Sequence, residues 1–174
     1  MEISLATRPD HWSLLVIPHG GYPDLLRTAA MLAAQAELVI LDGGNRCNLY
    51  HLTRSVAGRP DWLRRIHISR AFTCYQMLAL LESTPTRLAP LLLLDLLATF
   101  QDENVPFFER QRLLEACLGH IQRLSRLAGV LVSVSQPKTE NPENDRLLES
   151  LQEAAQEVWQ HASLPAAPEP WRLF

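Results

Sequence analysis

LVILDGGNR (residues 38–46) and PLLLLDL (residues 90–96) each set an unbroken apolar run against one aspartate, Asp42 and Asp95. Apolar runs without polar alternation read as strands covered on both faces, which is the habit of a parallel sheet. SLLVIP (Ser13–Pro18), Ile66–Ser69 and Val130–Ser135 repeat the signal. Between the strands, Pro23 and Asp24 open a helix that runs to Gln35, a second helix spans about Asn48–Ala57, and a third Phe72–Ser83. A long helix covers Pro106–Leu127, where Leu114, Cys117, Ile121, Leu124 and Ala128 recur at three- and four-residue steps. Asp145–His161 reads as an acidic helix. Strands alternating with helices predict an α/β three-layer sandwich with a mostly parallel sheet of about five strands. Residues 1–163 form one domain in this reading, and residues 164–174 a Pro- and Ala-rich tail that ends in Trp171 and Phe174.

A chain of 174 residues, 47% hydrophobic and 20% charged, has the material for one core and is not a disordered segment. Its net charge of −3 provides no global basic field. Three widely spaced cysteines make neither a disulfide framework nor a zinc knuckle, and Cys47 with His51 at i, i+4 lacks a second ligand pair, so no metal site is expected. No signal peptide or membrane-length apolar run is evident, and a cytoplasmic setting without membrane contact is the expectation.

Ligands of open parallel sheets bind at the carboxyl ends of the strands. That directs attention to Gly20 and Gly21, to Asp42, Gly43, Gly44, Asn45 and Arg46 as a sheet-edge ligand site, and to Asp95 and Ser135-Gln136. Read in order, LVILDGGNR, IHISRAFTCYQ, PLLLLDL and GVLVSVSQ resemble the ATPase core of RecA-type recombinases, particularly their archaeal and eukaryotic branch. Ser69-Arg70-Ala71-Phe72 is similar to that family's A-R-A-F segment, Asp95 to its Walker B aspartate, and Ser135-Gln136 to its N-Q pair. The resemblance covers about residues 13–136. It implies a P-loop NTPase fold, nucleotide binding, DNA repair and an oligomer.

The phosphate loop departs from the family pattern. In the best register, Gly21 to Thr28, Leu26 stands for the second glycine and Arg27 for the lysine, while Pro23 removes an N–H and Asp24 adds a negative charge. The family's catalytic acid falls at about Gly43. A protein without that lysine and glutamate lacks both charge stabilisation and water activation for phosphoryl transfer. The resemblance therefore implies a catalytically degenerate core that binds or assembles, with no cofactor and with a protein partner or a second copy. The alternative is an atypical Mg-ATP enzyme in which Gly20, Gly21 and Arg27 face the phosphates, Thr28 and Asp95 serve the metal, and Gln136 senses the γ-phosphate. A third reading is a small-molecule enzyme using Asp42, Asn45 and Asp95.

Residues 46–70 hold Arg46, Arg54, Arg59, Arg64, Arg65 and Arg70 against Asp61 alone. Such a cluster is either a solvated surface paired with the acidic C-terminal helix or a nucleic-acid patch centred on Arg54, Arg64, Arg65 and Arg70. Arg110, Arg112, Arg123 and Arg126 are expected on the polar face of the long helix.

Overall fold

The computed structural model describes residues 8–18, 20–56, 58–136 and 141–160. The elements in chain order are β1 (Trp12–Ile17), α1 (Tyr22–Ala33), β2 (Leu38–Asp42), α2 (Leu49–Ser55), the short α3 (Pro60–Leu63) and β3 (Ile66–Arg70). Then come α4 (Cys74–Ser83), β4 (Leu91–Leu94), a 3-10 turn (Leu96–Phe100), α5 (Phe107–Ser125), β5 (Val130–Ser135), α6 (Pro142–Ala154) and β6 (Glu157–Gln160). All strand pairings are parallel, in the order β3-β2-β4-β5-β1-β6.

The period-2 geometry of the strands divides the apolar residues between two cores. Leu15, Ile17, Leu38, Ile40, Leu92 and Leu94 face one way and bury Leu25, Leu26, Ala29 and Ala30 of α1 with Leu52 of α2. Leu14, Val16, Leu41, Leu91, Leu93, Val132 and Val134 face the other way, onto Met77 and Leu81 of α4, Leu113, Leu114, Cys117 and Ile121 of α5, and Leu147 and Leu151 of α6. Two helical layers on one sheet make the three-layer α/β sandwich. All three cysteines are buried and free. Among the described residues no helix is long and apolar enough to cross a membrane.

Among the described residues the sheet has six strands rather than about five. The expected acidic helix stops at Ala154, Ala155 is extended, and Glu157–Gln160 turns instead into β6. That strand pairs with β1, Ser13 opposite Glu157, and the Trp12 N–H donates to the Gln156 side chain at 3.0 Å. Ala155 still packs against the core that buries Leu147 and Leu151, but the chain leaves the helix there, and the open edge of β1 takes Val158 and Trp159 into a strand, which suits them. The tail, residues 164–174, lies outside the described residues.

Arg110 corrects the reading of α5. Its side chain is 2% exposed, donates to the carbonyls of Phe100 and Val105, and pairs with Glu143 of α6. Arg123 donates to the carbonyls of Leu81 and Thr84, at the end of α4. Arg112 remains on the polar face, paired with Glu109.

Candidate functional site at the carboxyl edge of the sheet

Because β4 and β5 lie between β2 and β1, the carboxyl ends of these four strands meet at the middle of one sheet edge. Asp42 ends β2 and is fully buried. Its Oδ1 accepts the Arg46 N–H at 2.8 Å, and its Oδ2 accepts the Cys47 N–H at 3.0 Å and Arg70 Nε at 3.0 Å. The carboxylate thus folds the loop after β2 around itself and ties it to the end of β3. Arg70 Nη2 adds a bond to the Cys47 carbonyl at 3.2 Å.

Asp95 follows β4 and is 1% exposed. It has φ +48°, in the left-handed region that aspartate tolerates better than most residues, and this bend starts the 3-10 turn. Its Oδ1 accepts the Ser135 N–H at 2.9 Å; its Oδ2 accepts Ser135 Oγ at 2.7 Å and Arg46 Nε at 2.7 Å. Ser133 Oγ accepts the Asp95 N–H at 3.1 Å.

Two further groups close over Asp95. Gly44 packs so tightly that a Cβ there would lie 2.7 Å from Asp95 Cβ and Oδ2, so this glycine serves close approach. Tyr22, the first residue of α1, is buried with its hydroxyl 3.3 Å from Ser135 Oγ, and the Arg46 guanidinium lies 5.2 Å from its ring centre. Burial, with the Asp95 charge behind it, pushes the Tyr22 phenol well above its ordinary range. The hydrogen bond and charge of Asp95 outweigh burial at Arg46 and hold its guanidinium above the usual value. Burial and the Asp42 charge push the Cys47 thiol up to about 11, which leaves it an inert group.

Of the residues of the Mg-ATP alternative, Gly20, Gly21, Asp95 and Gln136 come to the same sheet edge, but Arg27 and Thr28 are engaged within α1. β1 ends at Ile17 and α1 starts at Tyr22, so residues 18–21 are the whole connection. Gly20 has φ +92°, and a Cβ on Gly21 would lie 2.5 Å from Ile17 Cγ2, so both glycines serve a tight turn into the helix. Leu26, at the second-glycine position, is a core residue inside α1, 1% exposed. Arg27 points to solvent and pairs with Asp24 at 3.2 Å. Thr28 Oγ1 donates to the Asp24 carbonyl of its own helix. Gln136 is exposed and donates its backbone N–H to Ile17.

Asp42, Gly43, Gly44, Asn45 and Arg46 do converge with Asp95. The arginine patch does not form as a unit. Arg54 lies in the last turn of α2, and Arg64 and Arg65 lead into β3 at its amino end, whereas Arg70 closes β3 at the carboxyl edge. Arg65 Nη1 donates to the carbonyls of Ala33 and Ala34 at the end of α1, and the Arg59 guanidinium sits 5.9 Å from the Trp62 ring centre. Glu143, from the acidic helix, pairs with Arg110 and not with this cluster.

Sequence reasoning missed Tyr22 and Ser133. The signal for Tyr22 was its position, an aromatic directly between Gly20-Gly21 and Pro23; Ser133 offered none, being one polar residue inside an apolar strand. Among the described residues no group of three or more His, Cys, Asp or Glu side chains is placed to hold a metal ion. No protein-family model matches the chain, and no curated protein is detectably similar to it.

Proposed function

We propose that the protein is a catalytically degenerate RecA-like core, a subunit that binds or assembles in DNA recombination or repair and does not transfer phosphate. One observation carries the reading: Asp95, the residue similar to the Walker B aspartate, has both oxygens engaged by Ser135 and Arg46 beneath Gly44. A magnesium–nucleotide does not fit these residues. The cationic partner of the carboxylate is supplied by the chain itself, and the buried Tyr22 brings its hydroxyl to 3.3 Å from Ser135 Oγ, which also holds Asp95. The connection of residues 18–21 is too short to wrap a triphosphate, and Pro23 lacks an N–H to offer it. The strand order adds support, since it sets the loop after β1, Asp95 and Ser135-Gln136 at one edge, as the resemblance requires.

Calorimetry with millimolar Mg-ATP tests the proposal, with no binding heat and no released phosphate expected. A micromolar dissociation constant, or turnover, would overturn it.

A further inference from the structure

Counting donors and acceptors at the sheet edge gives a one-sided result. Both oxygens of Asp42 and both of Asp95 already accept hydrogen bonds from the protein. The guanidinium of Arg46 turns Nε and Nη2 inward to Asp95 and Ser135, and that of Arg70 turns Nε and Nη2 inward to Asp42 and the Cys47 carbonyl. Among the described residues, Nη1 of both arginines and the N–H groups of Gly44 and Asn45 have no protein acceptor. The two arginine side chains are 40% and 35% exposed, held from behind by carboxylates that are 2% and 0% exposed. A surface with donors outward and carboxylates inward is complementary to an oxyanion and has nothing to offer a metal ion.

Two exposed aromatic residues follow the parts of this surface closely along the chain. Tyr50 is 63% exposed and lies three residues beyond Cys47, whose carbonyl holds Arg70; Phe72 is 68% exposed and lies two residues beyond Arg70. Guanidinium groups for phosphates, with aromatic faces for bases, are the parts from which sequence-tolerant single-strand binding is built. We infer that Arg46, Arg70 and the Gly44-Asn45 backbone form a phosphate subsite for single-stranded nucleic acid, with Tyr50 and Phe72 as stacking platforms. The inference rests on the reading of Asp95 as a carboxylate closed by Arg46. It goes further by naming the ligand and by moving the contact from Arg54, Arg64 and Arg65 to the carboxyl edge. The chain is acidic overall, so the attraction is local and sensitive to salt. Two phosphate contacts give a slope of about −1.4 in log affinity against log salt concentration.

Fluorescence anisotropy with a labelled oligothymidylate at low salt tests the subsite on the full chain. Asn45→Asp adds a negative charge to the loop that carries Arg46 and leaves both arginines with their buried partners, and aspartate tolerates the φ of +53° there. The expected result is salt-sensitive binding by the natural chain, weakened about tenfold or more by Asn45→Asp and about tenfold by Tyr50→Ala. The double variant Arg54→Ala with Arg64→Ala should change it less than about twofold. Competition by inorganic phosphate supports the oxyanion chemistry. Equal binding by Asn45→Asp, no binding by folded protein at low salt, or binding of a glutamate-rich peptide in place of the oligonucleotide overturns the inference. Phosphate release from Mg-ATP, measured on the same sample, reports separately on the preceding proposal.

Discussion

The carboxyl edge and the α5–α6 junction both rest on arginine–carboxylate pairs, but with the burial reversed. At the edge, Asp95 and Asp42 are buried and their partners Arg46 and Arg70 reach solvent. At the junction, Arg110 is 2% exposed and Glu143 46%. Which partner faces water decides what the surface can offer a ligand, and which deletion leaves a buried charge unpaired. The edge presents donors held in place from below. The junction presents a carboxylate, and its arginine works inward on the carbonyls of Phe100 and Val105.

The sharpest way to break this comparison is Arg46→Ala. It removes the half-exposed partner and strands the Asp95 carboxylate with Ser135 alone, so unfolding stability should fall by about 3–5 kcal/mol in urea titration. A loss below about 1 kcal/mol would mean that water replaces the guanidinium readily and that Asp95 is not closed.

Gly44→Ala sharpens the same side of the comparison without touching a charge. The new methyl must displace Asp95 or its own loop, at a cost of about 1–3 kcal/mol. Gly119→Ala, in the middle of α5 with nothing within 4 Å of the added carbon, serves as the control and should stabilise slightly. Equal effects at the two glycines would remove the argument for close packing over Asp95.

The smallest effect belongs to the junction. Glu143→Gln leaves Arg110 buried but still bonded to two carbonyls, and an amide oxygen can still accept from it, so about 1–2 kcal/mol is expected. Thermal melts of Arg46→Ala and Glu143→Gln side by side test the asymmetry directly. A larger loss from Glu143→Gln would invert it.

Much of this architecture can be read from local pattern. The bounds expected for β2 and β5 agree with those observed, because an apolar run closed by Gly43-Gly44 or opened by Gly129 marks its own ends. The start of α1 was legible to within one residue, expected at Pro23 and observed at Tyr22, since Pro23 and Asp24 are favoured in the first turn of a helix. The edge residues Asp42 to Arg46 and Asp95 were legible as a group because parallel topology brings strand ends together whatever their separation in the chain.

What composition and periodicity determined is therefore the layer order, the two-sided burial of the strands and the edge at which polar residues gather. The tertiary structure alone decided their pairing. The sequence placed Arg46 at the sheet edge but not its pairing with Asp95, nor that of Arg70 with Asp42, and Arg110 looked like any exposed helical arginine. The guanidinium groups of Arg46, Arg70 and Arg110 are directed by carboxylates 28 to 49 positions away, and those of Arg65 and Arg110 also by carbonyls left open at a helix end or a turn. Hydrophobic patterning acts over a few residues and survives in one dimension. The hydrogen-bond partners of a long, charged side chain are set by whichever buried acceptor the folded chain brings within reach, and no local pattern records that distance.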